Sequence, residues 1–238
     1  MSATAERFRN HFYKDAEHPY RVFDREVGSR LAADSTLMDV GCGRTAPILQ
    51  TYLGRARRLI GIDEVEFTIS EPGLELRRGD LCRTGLPDCS VDVVMARSVM
   101  EHVTQPAAAY REMARILKPG GTFVFLTANL WDYASLAAHM IPNKLHPWLV
   151  SRTEGRAEED VFPTAYKTNT RSTIHRFARQ SGLQVARFDY LSQYPNYFLF
   201  NGPLFLLATG YEKVVSRVGP LEFLKGWILA SLVKPAAR

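Results

Sequence analysis

The chain has 238 residues, 46% hydrophobic and 23% charged, a balance that fits a folded globular protein and excludes global disorder. Its net charge of +5 is local, because residues 171–238 hold nine basic and three acidic side chains while residues 1–35 and 36–128 are each balanced. The three cysteines (Cys42, Cys82, Cys89) are odd in number and lack metal-type spacing. Neither a disulfide framework nor a zinc site is expected. The first residues have no apolar run of the kind a secretory signal needs, so a cytoplasmic protein is expected.

Along the chain, Thr36–Val40, Arg58–Ile62, Leu74–Arg78, Val91–Arg97 and Gly121–Ala128 are short apolar runs bounded by Gly, Asp or Pro. They read as strands. Between the last two, Tyr110, Met113, Ala114 and Leu117 share a helical face, with Pro106 near the start and Lys118-Pro119-Gly120-Gly121 as the stop. Strands alternating with helices predict a doubly wound α/β domain whose parallel sheet is covered on both faces.

Residues 129–170 interrupt this rhythm with a long stretch containing Trp131, Tyr133, His139, His146, Trp148 and Tyr166, expected to be a lid or binding loop. Ile174, Phe177, Ala178 and Ser181 then mark a helix ending at Gly182, and Leu183–Leu191 reads as a strand. A second insertion, 192–226, contains a helix that Asn201 can cap and Pro203 can open, with Leu204, Leu207, Tyr211, Val214 and Val218 along one side. Trp227–Val233 reads as a closing strand or a short apolar helix. No apolar stretch here approaches the roughly 20 residues that span a bilayer. A single domain over residues 1–238 is expected.

The chemistry starts at Gly41-Cys42-Gly43, which follows a strand and precedes a helix. Such a turn needs small residues so that the backbone can approach a ligand, and a helix start offers N–H groups to an anion. The third glycine of the dinucleotide fingerprint is absent, since Thr45 takes its place, which moves the reading away from NAD. Asp63 closes the second strand 20 residues after Gly43, where a carboxylate can accept both hydroxyls of a ribose. Asp80-Leu81 follows the third strand, where it could meet an adenine edge. These strand ends are expected to converge on one crevice.

Leu37-Met38-Asp39-Val40-Gly41-Cys42-Gly43 resembles the first cofactor motif of class I S-adenosylmethionine (SAM) methyltransferases, and Gly61-Ile62-Asp63 resembles the second. Gly79-Asp80-Leu81, Pro87–Asp92, Arg97–Val103 and Ile116–Gly121 are similar to the type 11 branch, so the likeness runs through about residues 30–128. It implies a Rossmann-like seven-stranded sheet with an antiparallel last strand, a lid after strand five and SAM as cofactor. By the same likeness Asp39, Gly41, Cys42 and Gly43 would wrap the methionine part and Asp63 would hold the ribose. Asp80 and Leu81 would bracket adenine, and Arg97 and Ser98 would lie near the sulfonium and the acceptor. Cys42 is then a small loop residue, not a nucleophile.

SAM is already an electrophile, so the protein has to align the acceptor and exclude water. A hydroxyl acceptor loses its proton on methylation, which calls for a base. His102 is one candidate, beside Glu101, although that pair can equally cap or pack a helix. His139 and His146 are the others. Some quinone-pathway relatives hold a divalent metal with Glu-x-x-Glu-His here, but Ser98 occupies the first position, and no metal is expected. Phe162 and Tyr166 could wall an apolar acceptor or pin the lid.

The reading is a methyltransferase acting on a small or lipid-like acceptor at oxygen. The alternatives are an RNA or protein methyltransferase and a non-catalytic SAM-binding protein. No RNA-binding module and no Asn/Asp-Pro-Pro-aromatic motif is seen, so no nucleic-acid partner is expected. The basic, apolar C-terminal part suggests peripheral contact with an anionic membrane at its inner face, against a solvated face or a dimer surface as alternatives.

Overall fold

The computed structural model describes residues 2–13, 17–133, 135–136 and 163–236. Among them one sheet of seven strands runs in the order β3-β2-β1-β4-β5-β7-β6. The strands are β1 (Thr36–Val40), β2 (Arg58–Asp63), β3 (Leu74–Arg78), β4 (Val91–Arg97), β5 (Leu117–Ala128), β6 (Gln184–Leu191) and β7 (Trp227–Val233). β1 to β5 pair in parallel, and β7 lies antiparallel between β5 and β6. Order reverses between β1 and β4, which opens a crevice at their C-terminal ends.

The helices are α1 (Ala3–Phe12), α2 (Pro19–Ser29), α3 (Pro47–Gln50), α4 (Pro106–Ile116), α5 (Arg171–Ser181) and α6 (Gly202–Arg217). The period of two along β5 explains the two layers. Phe123 and Phe125 point into one core with Tyr110 and Met113 of α4 and Ile174 and Phe177 of α5. Val124 and Leu126 point into the other, with Phe23 and Val27 of α2 and with Leu49 and Tyr52. Strands covered on both faces have no polar face to show, which is why they read as continuous apolar runs.

Several expectations are adjusted. β5 begins at Leu117, not Gly121, because Leu117 pairs with Val91 before an irregularity lets Thr122 pair with Val93. Trp227–Val233 is a strand, not a helix, hydrogen-bonded on both sides. Most of the expected lid, including His139, His146, Trp148 and Phe162, lies outside the described residues.

Asn201 caps α6 as expected, its side chain accepting from the Leu204 amide at 3.1 Å. The face of α6 that turns inward, however, carries Gly202, Phe205, Thr209, Glu212 and Val215. Leu204, Leu207, Val214 and Val218 are on the exposed side. The insertion is also less basic than the C-terminal part as a whole: residues 192–226 hold three basic and two acidic side chains.

Candidate active site

At the C-terminal end of β1 the backbone turns at Gly41, whose φ of 71° is the left-handed region that favours glycine. A Cβ there would also collide with Val99 Cγ2, so the chain after β4 presses on this turn. The Gly41 amide donates to the Ile62 carbonyl at 2.8 Å. Gly43, with φ 74°, donates its amide to Asp63 Oδ2 at 2.7 Å. The other Asp63 oxygen accepts from Val65 N at 3.2 Å. The following helix is a correction to expectation. α3 is only four residues long, so it is not the helix start expected to receive an anion, and the Gly41, Cys42 and Gly43 amides already donate to Ile62 O and Asp63 Oδ2.

Asp39 and Ser98 give the crevice its unmet polar groups. Asp39 is fully buried, and its Oδ2 has no hydrogen-bond partner. Burial pushes its carboxyl up to about 8, against the pull of Arg97, while Asp63 pushes the same way as burial. Ser98, at the tip of β4, has a φ of 58° and a buried Oγ, also without a partner. Its amide donates to Leu126 O at 2.8 Å, tying β4 to β5. A strained non-glycine residue beside an orphaned hydroxyl is the pattern of a site that awaits a ligand.

Arg97 turns to α2. Its guanidinium lies 4.3 Å from the Tyr20 ring centre; burial raises the pKa of both Asp24 and Asp39, and the Arg97 charge opposes that rise in each. Tyr20 meets Trp227 of β7 edge-on at 5.6 Å. The sequence reading missed this cover of Tyr20, Asp24 and Trp227. Pro19 after the cap residue His18 was a legible helix start, but nothing local told which face met Arg97.

Cys42 is buried in the core beside Gly61, and burial raises its thiol pKa strongly. The sequence places Cys42 among the residues that wrap the cofactor; its side chain packs into the core. Asp80 Oδ1 accepts from Cys82 N at 2.8 Å, and Leu81 packs against the core. The Gly79 amide donates to Asp63 O at 2.9 Å, so the ends of β2 and β3 do meet.

On the other side of β4, Glu101 is buried and its Oε2 accepts from Thr127 Oγ1 at 2.7 Å; Asn169 donates to the same hydroxyl at 2.8 Å. The Glu101 carbonyl receives the amides of Ala165 and Tyr166 at 2.7 and 3.0 Å. His102 Nδ1 lies 3.1 Å from the Pro163 carbonyl, which uses that nitrogen as donor. Glu101 is therefore a strut that fastens the segment from Pro163 across the acceptor end of the sheet. Tyr166 sits on that segment with its phenol pKa raised, chiefly by burial. A hollow of about 390 Å³ lies further along this end, lined by Trp131, Arg171, His175, Tyr190 and Phe223 among others. None of the glycine-loop residues lines it. Among the described residues no group of three His, Cys, Asp or Glu could hold a metal ion.

A seven-stranded sheet in this order with β7 reversed, and a glycine turn facing an acidic β2 end, is the architecture of class I methyltransferases. Residues 38–125, a little over a third of the chain, match the family model described as a methyltransferase domain. It is 37% identical over 113 residues to a Mycolicibacterium smegmatis protein named "Probable S-adenosylmethionine-dependent methyltransferase", covering 43% of each chain. It is 28% identical over 145 residues to a ubiquinone biosynthesis O-methyltransferase of Bradyrhizobium, covering 54% of this chain and 57% of that one. The first three relatives in this comparison are spanned over only 36–43% of their lengths. In fold the chain is similar to a SAM-dependent methyltransferase from Mesorhizobium loti (TM-score 0.59, 17% identity, covering 90% of this chain and 97% of that one). It is also similar to geranyl diphosphate C-methyltransferase from Streptomyces coelicolor (TM-score 0.55, 16% identity, 90% and 74%). The cofactor of this domain is SAM.

Proposed function

We propose that the chain transfers the methyl group of SAM to an oxygen of a small, lipid-like acceptor. The observation that carries the cofactor half is the fully buried Asp39 carboxyl group, whose Oδ2 has no partner, beside the glycine turn. A ligand with an ammonium group fits that carboxyl group, with Asp39 taking the ammonium and the glycine turn leaving room for the chain that carries it. Asp63 then accepts from the ribose hydroxyls, Asp80 and Leu81 flank the adenine, and Arg97 and Ser98 border the reacting end. When bound, SAM supplies an electrophilic methyl; the chain's part is alignment and exclusion of water.

The acceptor half rests on the aromatic cover at the same end, from Tyr20, Trp227 and Tyr166, and on a relative named as a ubiquinone biosynthesis O-methyltransferase. An oxygen acceptor gives up a proton, and His102, oriented through the Pro163 carbonyl, is the described residue we assign as base. His146 lies outside the described residues.

Calorimetry with S-adenosylhomocysteine, on the wild type and on Asp63→Ala, tests the cofactor half. Failure of the wild type to bind sinks it. A labelled-methyl assay against phenols, quinols, lipid extracts and RNA tests the acceptor half, and transfer to RNA alone would overturn it. With a confirmed oxygen acceptor, His102→Gln should lower kcat about 10²-fold or more. An unchanged kcat and pH profile would remove the base assignment.

A further inference from the structure

α1 and α6 lie side by side and run the same way. Gly202 sits against Thr4 and Ala5, the Ser2 amide donates to Leu199 O at 2.8 Å, and Lys213 Nζ reaches Phe12 O at 2.9 Å. Their shared seam takes Ala5, Phe205 and Val215 out of water. What remains outside is unusual for a surface helix. Leu204, Leu207, Val214 and Val218 are spaced at three, seven and four residues, one stripe along α6, and Phe200 precedes them. Leu207 is 75% exposed, Phe200 69% and Val214 53%, far beyond a lone surface leucine. Two polar residues of α6, Thr209 and Glu212, point the other way and are buried on its inner face. An aliphatic ridge kept in water costs stability, so its retention needs a partner.

Charge decides which partner. The two helices carry Arg7, Arg9, Lys213 and Arg217 against Glu6 and the buried Glu212. The pair therefore carries four cations and one acid near the surface; Lys213 lies over the Tyr13 ring and Arg9 over the Tyr194 ring, and Arg7 and Arg217 are exposed. A second copy docking through a two-fold axis would bring these cations face to face. An anionic layer with an apolar interior matches both features. Position agrees as well. The insertion leaves the sheet at Leu191 and returns at Trp227, which pair with each other and with Ala128 at the acceptor end.

We propose that the α1–α6 pair is a docking surface for an anionic lipid membrane, with the α6 ridge lying in the interface. This places the mouth of the crevice beside the bilayer, where an amphipathic acceptor would reside. It goes beyond the acceptor assignment and does not depend on it.

Flotation of the full chain with vesicles of phosphatidylcholine alone, and of phosphatidylcholine with phosphatidylglycerol, tests it. The wild type should float with the anionic vesicles only and detach as salt rises. Leu207→Ser/Val214→Ser and Arg7→Glu/Arg217→Glu should each weaken flotation about tenfold or more. Both variants should keep the wild-type unfolding midpoint and S-adenosylhomocysteine affinity, so that loss of docking is read apart from loss of the cofactor site. No flotation of the wild type, or flotation unchanged in both variants, overturns the proposal. A dimer in light scattering that the Ser variant turns into a monomer also overturns it, in favour of a second copy of the chain.

Discussion

The Asp63 carboxylate and the Gly43 amide are joined at 2.7 Å, so the acid at the end of β2 holds the glycine loop at the end of β1. One residue thus serves the protein and the proposed ribose contact at once. Asp63→Ala removes the acceptor for both, and should weaken S-adenosylhomocysteine by about 10–100-fold. Asp63→Asn keeps one acceptor oxygen and should fall between the two. Calorimetry that shows no difference between wild type and Ala would separate Asp63 from the cofactor.

Gly41 is demanded twice, by its positive φ and by Val99. Gly41→Ala should lose about 1–2 kcal/mol to the left-handed backbone and about 1–3 kcal/mol to the collision. Val99→Ala removes the obstruction only. The double variant should therefore recover part of the loss in denaturant unfolding. If it recovers nothing, Val99 is not what presses on the turn.

Asp39 makes the ligand-free protein sensitive to pH. Its folded pKa, raised to about 8 by burial, lies above the ordinary 3.8. The native state then holds a proton that the unfolded chain releases, so its contribution is full below pH 3.8 and is lost as pH rises through about 8. Asp39→Asn lacks this loss. In thermal melts without cofactor, the variant should match the wild type near about pH 4 and exceed it increasingly towards about pH 8. The same variant should bind S-adenosylhomocysteine more weakly. Parallel melting curves at all pH values would count against a buried acid that prefers its proton.

Glu26 fastens α2, and with it the Tyr20 and Asp24 cover, to the sheet. It accepts from Ser231 Oγ at 2.7 Å, Arg187 Nη1 at 2.6 Å and Arg30 Nη2 at 2.8 Å. Burial is the largest single influence and raises its pKa, but these partners together outweigh it and hold the carboxyl below the ordinary range. Both arginines are partly exposed and screened, so Glu26→Ala should cost about 2–3 kcal/mol rather than the full loss of a buried pair. Its effect should grow as pH rises from the acid range, where the wild-type carboxylate is protonated, to neutrality. Urea unfolding at the two pH values checks this.

Local pattern determined much of this protein. β1, β4 and β7 occupy the spans their apolar runs mark, because a strand buried on both faces has to be apolar nearly throughout. The glycine turn, Asp63 and Asp80 were legible for a related reason, since each stands at a strand end and the parallel sheet brings those ends together. Pro119 and Gly120, read as breakers, hid the start of β5, where Leu117 pairs before the bulge.

Tertiary structure alone decided the rest. Val99 against Gly41, and Arg97 between Asp39, Asp24 and Tyr20, join residues far apart in the chain, and no local spacing encodes them. α6 shows the limit most clearly. Both of its faces carry apolar residues, so periodicity marked a stripe without saying whether it faced in or out. Packing against α1 turned Phe205, Thr209 and Glu212 inward and left the Leu207 ridge in water. Helical period fixes which side chains share a face; the neighbours that cover a face are chosen only when the chain folds.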